Sequence, residues 1–159
     1  MRRLALRAAA VIAATLVLAG CAAAEETPPE LQGPNGYTAA ADLGDGFHLW
    51  WDRSPESGKS DLIATDPDGR IVGSCLGMPG EICFIGPQDG RMGLVIADPA
   101  AERGVIHFYG QDVELTPGTG PGEEDPAVFA VRLPQERPDE DAGWSIELFD
   151  ASGQPVPLQ

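Results

Sequence analysis

Turn-forming residues interrupt this chain so often that few architectures remain open to it. Its 159 residues include 20 glycines and 15 prolines. Glycine gives up the most backbone entropy in a helix, and proline removes a helical hydrogen bond and clashes with the preceding turn. At that density, long helices are excluded over most of the sequence. Hydrophobic residues still make up 43%, enough to build a core in a chain about one domain long. Short apolar runs between Gly, Pro and Asp clusters are the signature of strands joined by tight turns. Such runs occupy 47–52, 61–66, 70–76, 81–85, 92–97, 105–109, 112–115, 127–133 and 144–150. The spacing predicts one all-β domain over 37–159, either an antiparallel sandwich (immunoglobulin-like or related) or a small barrel. Residues 98–103 suit at most one helical turn, with Asp98 as cap and Pro99 in the first helical position.

Two turns have the same form. Asp66-Pro67-Asp68-Gly69 and Asp150-Ala151-Ser152-Gly153 each end a strand and place glycine where a left-handed conformation is needed. Two longer connections, 117–126 and 134–143, are acidic and read as solvated, mobile loops.

Alternation within strands assigns faces. Along 47–52, Phe47, Leu49 and Trp51 form the apolar side, and His48, Trp50 and Asp52 point the other way. Along 105–109, Ile106 and Phe108 are the core side, leaving Val105, His107 and Tyr109 outward. His48, Trp50, His107 and Tyr109 are therefore the candidate binding face. Aromatic rings there suit a sugar or a protein partner, and the imidazoles suit hydrogen bonding or pH sensing.

Charge and motifs exclude several chemistries. The chain carries 10 Lys plus Arg against 25 Asp plus Glu, a formal net charge of −15. Nucleic-acid binding needs clustered cations that displace counterions, so no nucleic-acid partner is expected. Gly58-Lys59-Ser60 ends like a phosphate-binding loop, but the position that requires the first glycine holds Arg53. No G-x-S-x-G elbow is present, and nothing selects a serine or aspartate to join His48 or His107 in a triad. Carboxylate pairs of the kind that hydrolyse glycosides are always available in so acidic a chain, and their number makes them uninformative. Asp66, Asp68 and Gly69 echo part of a calcium loop, but the first ligand position would fall on Ala64. Neither a metal site nor a cofactor is expected.

The first twenty residues have a different character. Arg2, Arg3 and Arg7 precede or enter an apolar run from Leu4 to Leu18 that is too short to span a bilayer. Charge followed by a short apolar run is the pattern of a secretory signal peptide. Leu18-Ala19-Gly20-Cys21 then resembles the lipobox of bacterial lipoprotein precursors. The resemblance covers the leader alone. It implies cleavage after Gly20, a diacylglyceryl group on Cys21, and a protein held by that lipid at the extracytoplasmic face of the cell membrane. Residues 1–20 are then the signal peptide, and 21–36 the lipidated cysteine followed by a tether and turn with no packed structure. Beyond the leader, the domain resembles secreted β-sandwich modules in outline only, which assigns no activity.

Export decides the reading of the remaining cysteines. Cys75, Met78 and Cys83 would make a soft ligand set for Cu(I), but two leftover cysteines in an oxidising compartment pair. Met78-Pro79-Gly80 between them suits a tight loop, which predicts a Cys75–Cys83 disulfide facing across a hairpin. The expected function is a lipid-anchored binding or interaction module of the cell envelope, with an envelope protein or glycan as partner. The alternative is an envelope hydrolase acting on carbohydrate or peptide through paired carboxylates.

Overall fold

A computed structural model describes residues 33–54, 56–86, 91–120 and 122–158. The signal peptide and Cys21 lie outside the described residues. Twelve strands occur among those described: β1 Thr38–Asp42, β2 His48–Arg53, β3 Ser60–Thr65, β4 Ile71–Gly77, β5 Ile82–Ile85, β6 Met92–Ala97, β7 Arg103–Phe108, β8 Gln111–Glu114, β9 Thr116–Pro117, β10 Ala127–Arg132, β11 Trp144–Phe149 and β12 Pro155–Val156. They form three antiparallel four-stranded sheets in the orders β1-β2-β3-β4, β5-β6-β10-β9 and β12-β11-β7-β8. Every sheet is open, so the barrel alternative gives way to a sandwich-like fold.

The sheets make two cores, and the middle sheet contributes to both. Leu94, Ile96, Val128 and Ala130 pack with Ala40, Leu49, Trp51, Leu62 and Cys75 of the first sheet. Their strand neighbours Val95, Ala97, Phe129 and Val131 pack with Ile106, Phe108 and Leu148 of the third. Successive residues of β6 and β10 thus enter opposite cores, as the pleat requires. A strand buried on both faces cannot carry a polar row, and β6 reads Met-Gly-Leu-Val-Ile-Ala with all six residues buried. The third sheet, wet on its outer side, alternates instead: β7 runs exposed, buried, half-buried, buried, half-buried, buried. A two-sheet immunoglobulin arrangement has one such core, whereas this chain adds a third layer.

The turns follow their residue chemistry. Gly69 N donates to Asp66 O at 2.9 Å, and the Asp66 carboxylate accepts from the Asp68 and Arg70 amides at 3.0 and 2.9 Å. The Asp150 turn repeats the pattern, with Gly153 N donating to Asp150 O at 2.9 Å. Hydrogen bonds from Ser152 and the Gln154 amide hold the Asp150 carboxyl below its usual range. The Asp66 carboxylate is thereby committed to its own turn. Residues 98–101 form a single turn closed by Ala101 N to Asp98 O at 2.9 Å.

Three sequence expectations are corrected here. Residues 33–36 were read as unpacked, but Gly33 lies against the Trp50 indole, where a Cβ would come 2.5 Å from Cε3. The Tyr37 hydroxyl donates to Asp61 Oδ2 at 2.6 Å. That hydrogen bond, then burial and the Asp61 and Asp52 charges, push the phenol up to about 12. The packed body therefore includes Gly33, which lies over the outer side of the first sheet. The two acidic connections are stitched down as well. In one, β9 pairs with β10, Thr119 N donates to Ala40 O at 2.6 Å, and Arg53 and Asp125 form an ion pair. In the other, Asp139 caps a 3-10 turn, Glu140–Ala142, and Gln111 Nε2 donates to Glu136 O at 2.8 Å.

The third correction concerns the disulfide. Cys75 and Cys83 are bonded, with Cα atoms 5.6 Å apart. Yet β4 belongs to the first sheet and β5 to the middle one. Pro79-Gly80 does turn the chain, with Gly80 at φ 99° and Glu81 N donating to Met78 O at 3.1 Å. The turn carries the chain from one layer to the next, because Gly80 N and Glu81 O are already engaged with Ile96 of β6. The bridge is an inter-sheet staple and not a rung of a hairpin. Closing the loop between cysteines eight residues apart stabilises by about 2.5 kcal/mol on the chain-entropy relation. The Cys75→Ala/Cys83→Ala double variant should lose about that much in a urea melt. An unchanged midpoint and slope would show that packing of the first core alone holds the two sheets in register.

Candidate functional site

The four residues of the expected binding face do not meet. Trp50 is buried, 5% exposed, and its Nε1–H donates to Thr65 Oγ1 at 2.9 Å. Gly33 and Pro34 line the space beside it, so the incoming chain covers the outward side that alternation assigned to Trp50. His48 is half-buried on the same sheet face, its ring 6.0 Å from that of Trp50. His107 lies on the outer face of the third sheet, on the far side of the middle layer. Tyr109 is not in a strand. It and Gly110 are the two central residues of the β7–β8 hairpin, with φ of 50° and 84°. That is the primed turn suited to sheet twist, and it places a bulky residue in a conformation costing roughly 1–2 kcal/mol. The turn takes Tyr109 off the face that carries His107 and packs its ring against Phe108 at the edge of the second core.

Tyr109 instead joins a different constellation. Phe84 and Trp144 both point into the space between the middle and third sheets, near its open end. Trp144 is paired with Phe108 across the third sheet, and Phe84 with Gly93 across the middle one. Gly93 leaves room there: a Cβ on it would already meet Val131 Cγ1 at 3.1 Å and the Phe84 ring at 3.6 Å. The Phe84 and Trp144 rings meet edge to face, centroids 4.8 Å apart. Core-side positions in the middle of the strands are covered, but at this end the layers stop, leaving Trp144 44% and Phe84 40% exposed.

The result is a groove of about 320 Å³, lined chiefly by Phe84, Arg91, Phe108, Tyr109, Leu133 and Trp144. That is near the lower end of small-ligand sites, which combine aromatic and apolar side chains with a few polar groups. The strained Tyr109 backbone is held from both sides: its N–H donates to Gly143 O at 2.7 Å, and its O accepts from Asp139 N at 3.1 Å. Arg137 lies over the outer part of this rim, 4.5 Å from the Tyr109 centroid. Strain maintained by surrounding structure is a feature of ligand sites. Sequence reasoning missed Trp144, Phe84, Arg91 and Arg137, because strand alternation cannot show where a covering layer ends.

Outside the groove, His107 is the most perturbed imidazole. Its Nδ1 is 2.6 Å from Asp112 Oδ1 and its Nε2 3.4 Å from Glu147 Oε2. Hydrogen bonds to Asp112 first and Glu147 second hold the imidazolium above its ordinary 6.5. Both ring nitrogens face carboxylates, and among the described residues no cluster of His, Cys, Asp and Glu is arranged to hold a metal. Comparison with protein-family models, curated proteins and solved structures gives no match.

A raised histidine stabilises the fold fully below its unfolded value and loses that contribution as pH rises through its folded one. The His107 ring protons should therefore titrate above pH 6.5 in an NMR series, and Asp112→Asn should move the midpoint down. A wild-type midpoint at or below 6.5 would show that the exposed carboxylates are screened out of the interaction.

Proposed function

We propose that this protein is a lipid-anchored, extracytoplasmic binding module of the bacterial cell envelope, and that the aromatic groove between its middle and third sheets is where the ligand sits. The observation that carries the reading is the exposed Trp144–Phe84 pair beside Tyr109 and Arg91 at one end of the second core. Exposed aromatic rings offer large apolar contact at low entropic cost, and their open faces suit sugar rings or apolar side chains. The groove lining holds an arginine and no carboxylate among the described residues, which favours binding over hydrolysis by paired acids.

The anchor rests on the leader. Two acyl chains on Cys21 give stable attachment where one is marginal. An acidic body is repelled by anionic headgroups and stands off the bilayer. Among the described residues no helix is long and apolar enough to cross a membrane.

Each half of the proposal has its own test. Cys21→Ala should move the protein from the membrane fraction to the soluble or unprocessed one; a processed mutant that still sediments with membranes would remove the anchor. For the groove, envelope glycans and peptides arrayed against the protein should bind the native chain and lose at least about tenfold with Trp144→Ala, corresponding to roughly 1.4 kcal/mol. Ligands held equally well by that variant would place the site elsewhere.

A further inference from the structure

We infer that the groove ligand is a carboxylated saccharide, its ring against Trp144 and Tyr109 and its carboxylate on Arg91. The inference rests on the groove being the binding site and adds the chemistry of what enters it.

The first observation is charge. In a chain with 25 acids and 10 bases, an arginine readily finds a carboxylate. Arg53 pairs with Asp125, Arg70 with Asp68, and Arg132 with Asp45. Arg91 lines the groove without a carboxylate partner among the described residues. Arg137, stacked on the Tyr109 rim, has none either. Arg103 shares that state but lies over Phe149 on the remote outer face of the third sheet. The groove lining thus holds a guanidinium and, among the described residues, no carboxylate, while Asp139 is bonded through its amide to Tyr109 at the rim. Guanidinium forks match carboxylates bidentately, and such charge-assisted pairs are about twice as strong as neutral hydrogen bonds.

The second observation is the backbone around the groove. An extended peptide is recognised by adding a strand to an open edge. Here β7 and β11 each have hydrogen-bonded neighbours on both sides. β5 is the edge strand of the middle sheet, bonded to β6 alone, and its Cys83, next to Phe84, is bridged to Cys75 of β4. What the groove offers is ring faces and one charge, in a volume near the lower end for small ligands. A single pyranose with an acidic substituent fits that description better than a polypeptide.

The test uses the full-length protein in detergent and the matched probes N-acetylmuramic acid and N-acetylglucosamine, which differ by one lactyl carboxylate. Trp50 and Trp51 are buried, so fluorescence changes on binding report Trp144. The acid should bind at least about tenfold tighter than the neutral sugar. Added salt should erode the advantage, Arg91→Gln should abolish the difference between the two sugars, and Arg91→Lys should restore part of it. Equal binding of the two sugars overturns the carboxylate assignment and leaves the groove standing. Binding of a short peptide with a free C-terminal carboxylate, in place of both sugars, overturns the saccharide assignment and also leaves the groove standing. No Trp144 response to any of the three probes overturns both.

Discussion

Burial of the middle sheet on both faces is the constraint on which the other layers depend. Its central strands β6 and β10 place alternate side chains in two separate cores, so nearly every residue in them must be apolar. An apolar sheet is stable only when both faces are covered. The first sheet covers one, the third covers the other, and the disulfide ties the first sheet to the edge strand of the middle one. The groove follows from the same arrangement, because it opens where the cover over the second core stops.

The strands were legible because their signal is local. All nine runs read from the sequence are strands, with boundaries that move by a residue or two. Pro67-Asp68-Gly69 and Ser152-Gly153 turn the chain as their residue chemistry requires. The missed strands are those in which pattern is weak. β1 is largely alanine, β9 and β12 have two residues each, and both contain proline. They are selected by the neighbours they complete, which no local window contains.

The site was less legible, for a different physical reason. Alternation separates two faces of a strand but does not say whether either is covered. Trp50 reads as outward and is outward, yet the chain at Gly33 lies on it. Trp144, opposite the buried Phe108, lies on the core side of its strand and is still 44% exposed. Tyr109 looked like the last residue of a strand because a tyrosine is an unexpected choice for a left-handed turn position. The disulfide partners were identified correctly, but the sheets they join were not, since a short loop between cysteines fits a hairpin and a layer crossing equally well.

The order of strands along the chain has a consequence for how the fold assembles. The first sheet is a simple meander, in which each strand pairs with its sequence neighbour. The other two are wound alternately: β5 and β6 enter the middle sheet, β7 and β8 the third, β9 and β10 the middle again, and β11 and β12 the third. Pairing β6 with β10, or β7 with β11, must close a loop that contains a hairpin of the opposite sheet. The entropy of closure grows with such separation and is spent before the contacts that reward it exist. Neither sheet can be finished without the other being nearly finished, so these two layers form one cooperative unit, whereas the meander can zip up from local pairings.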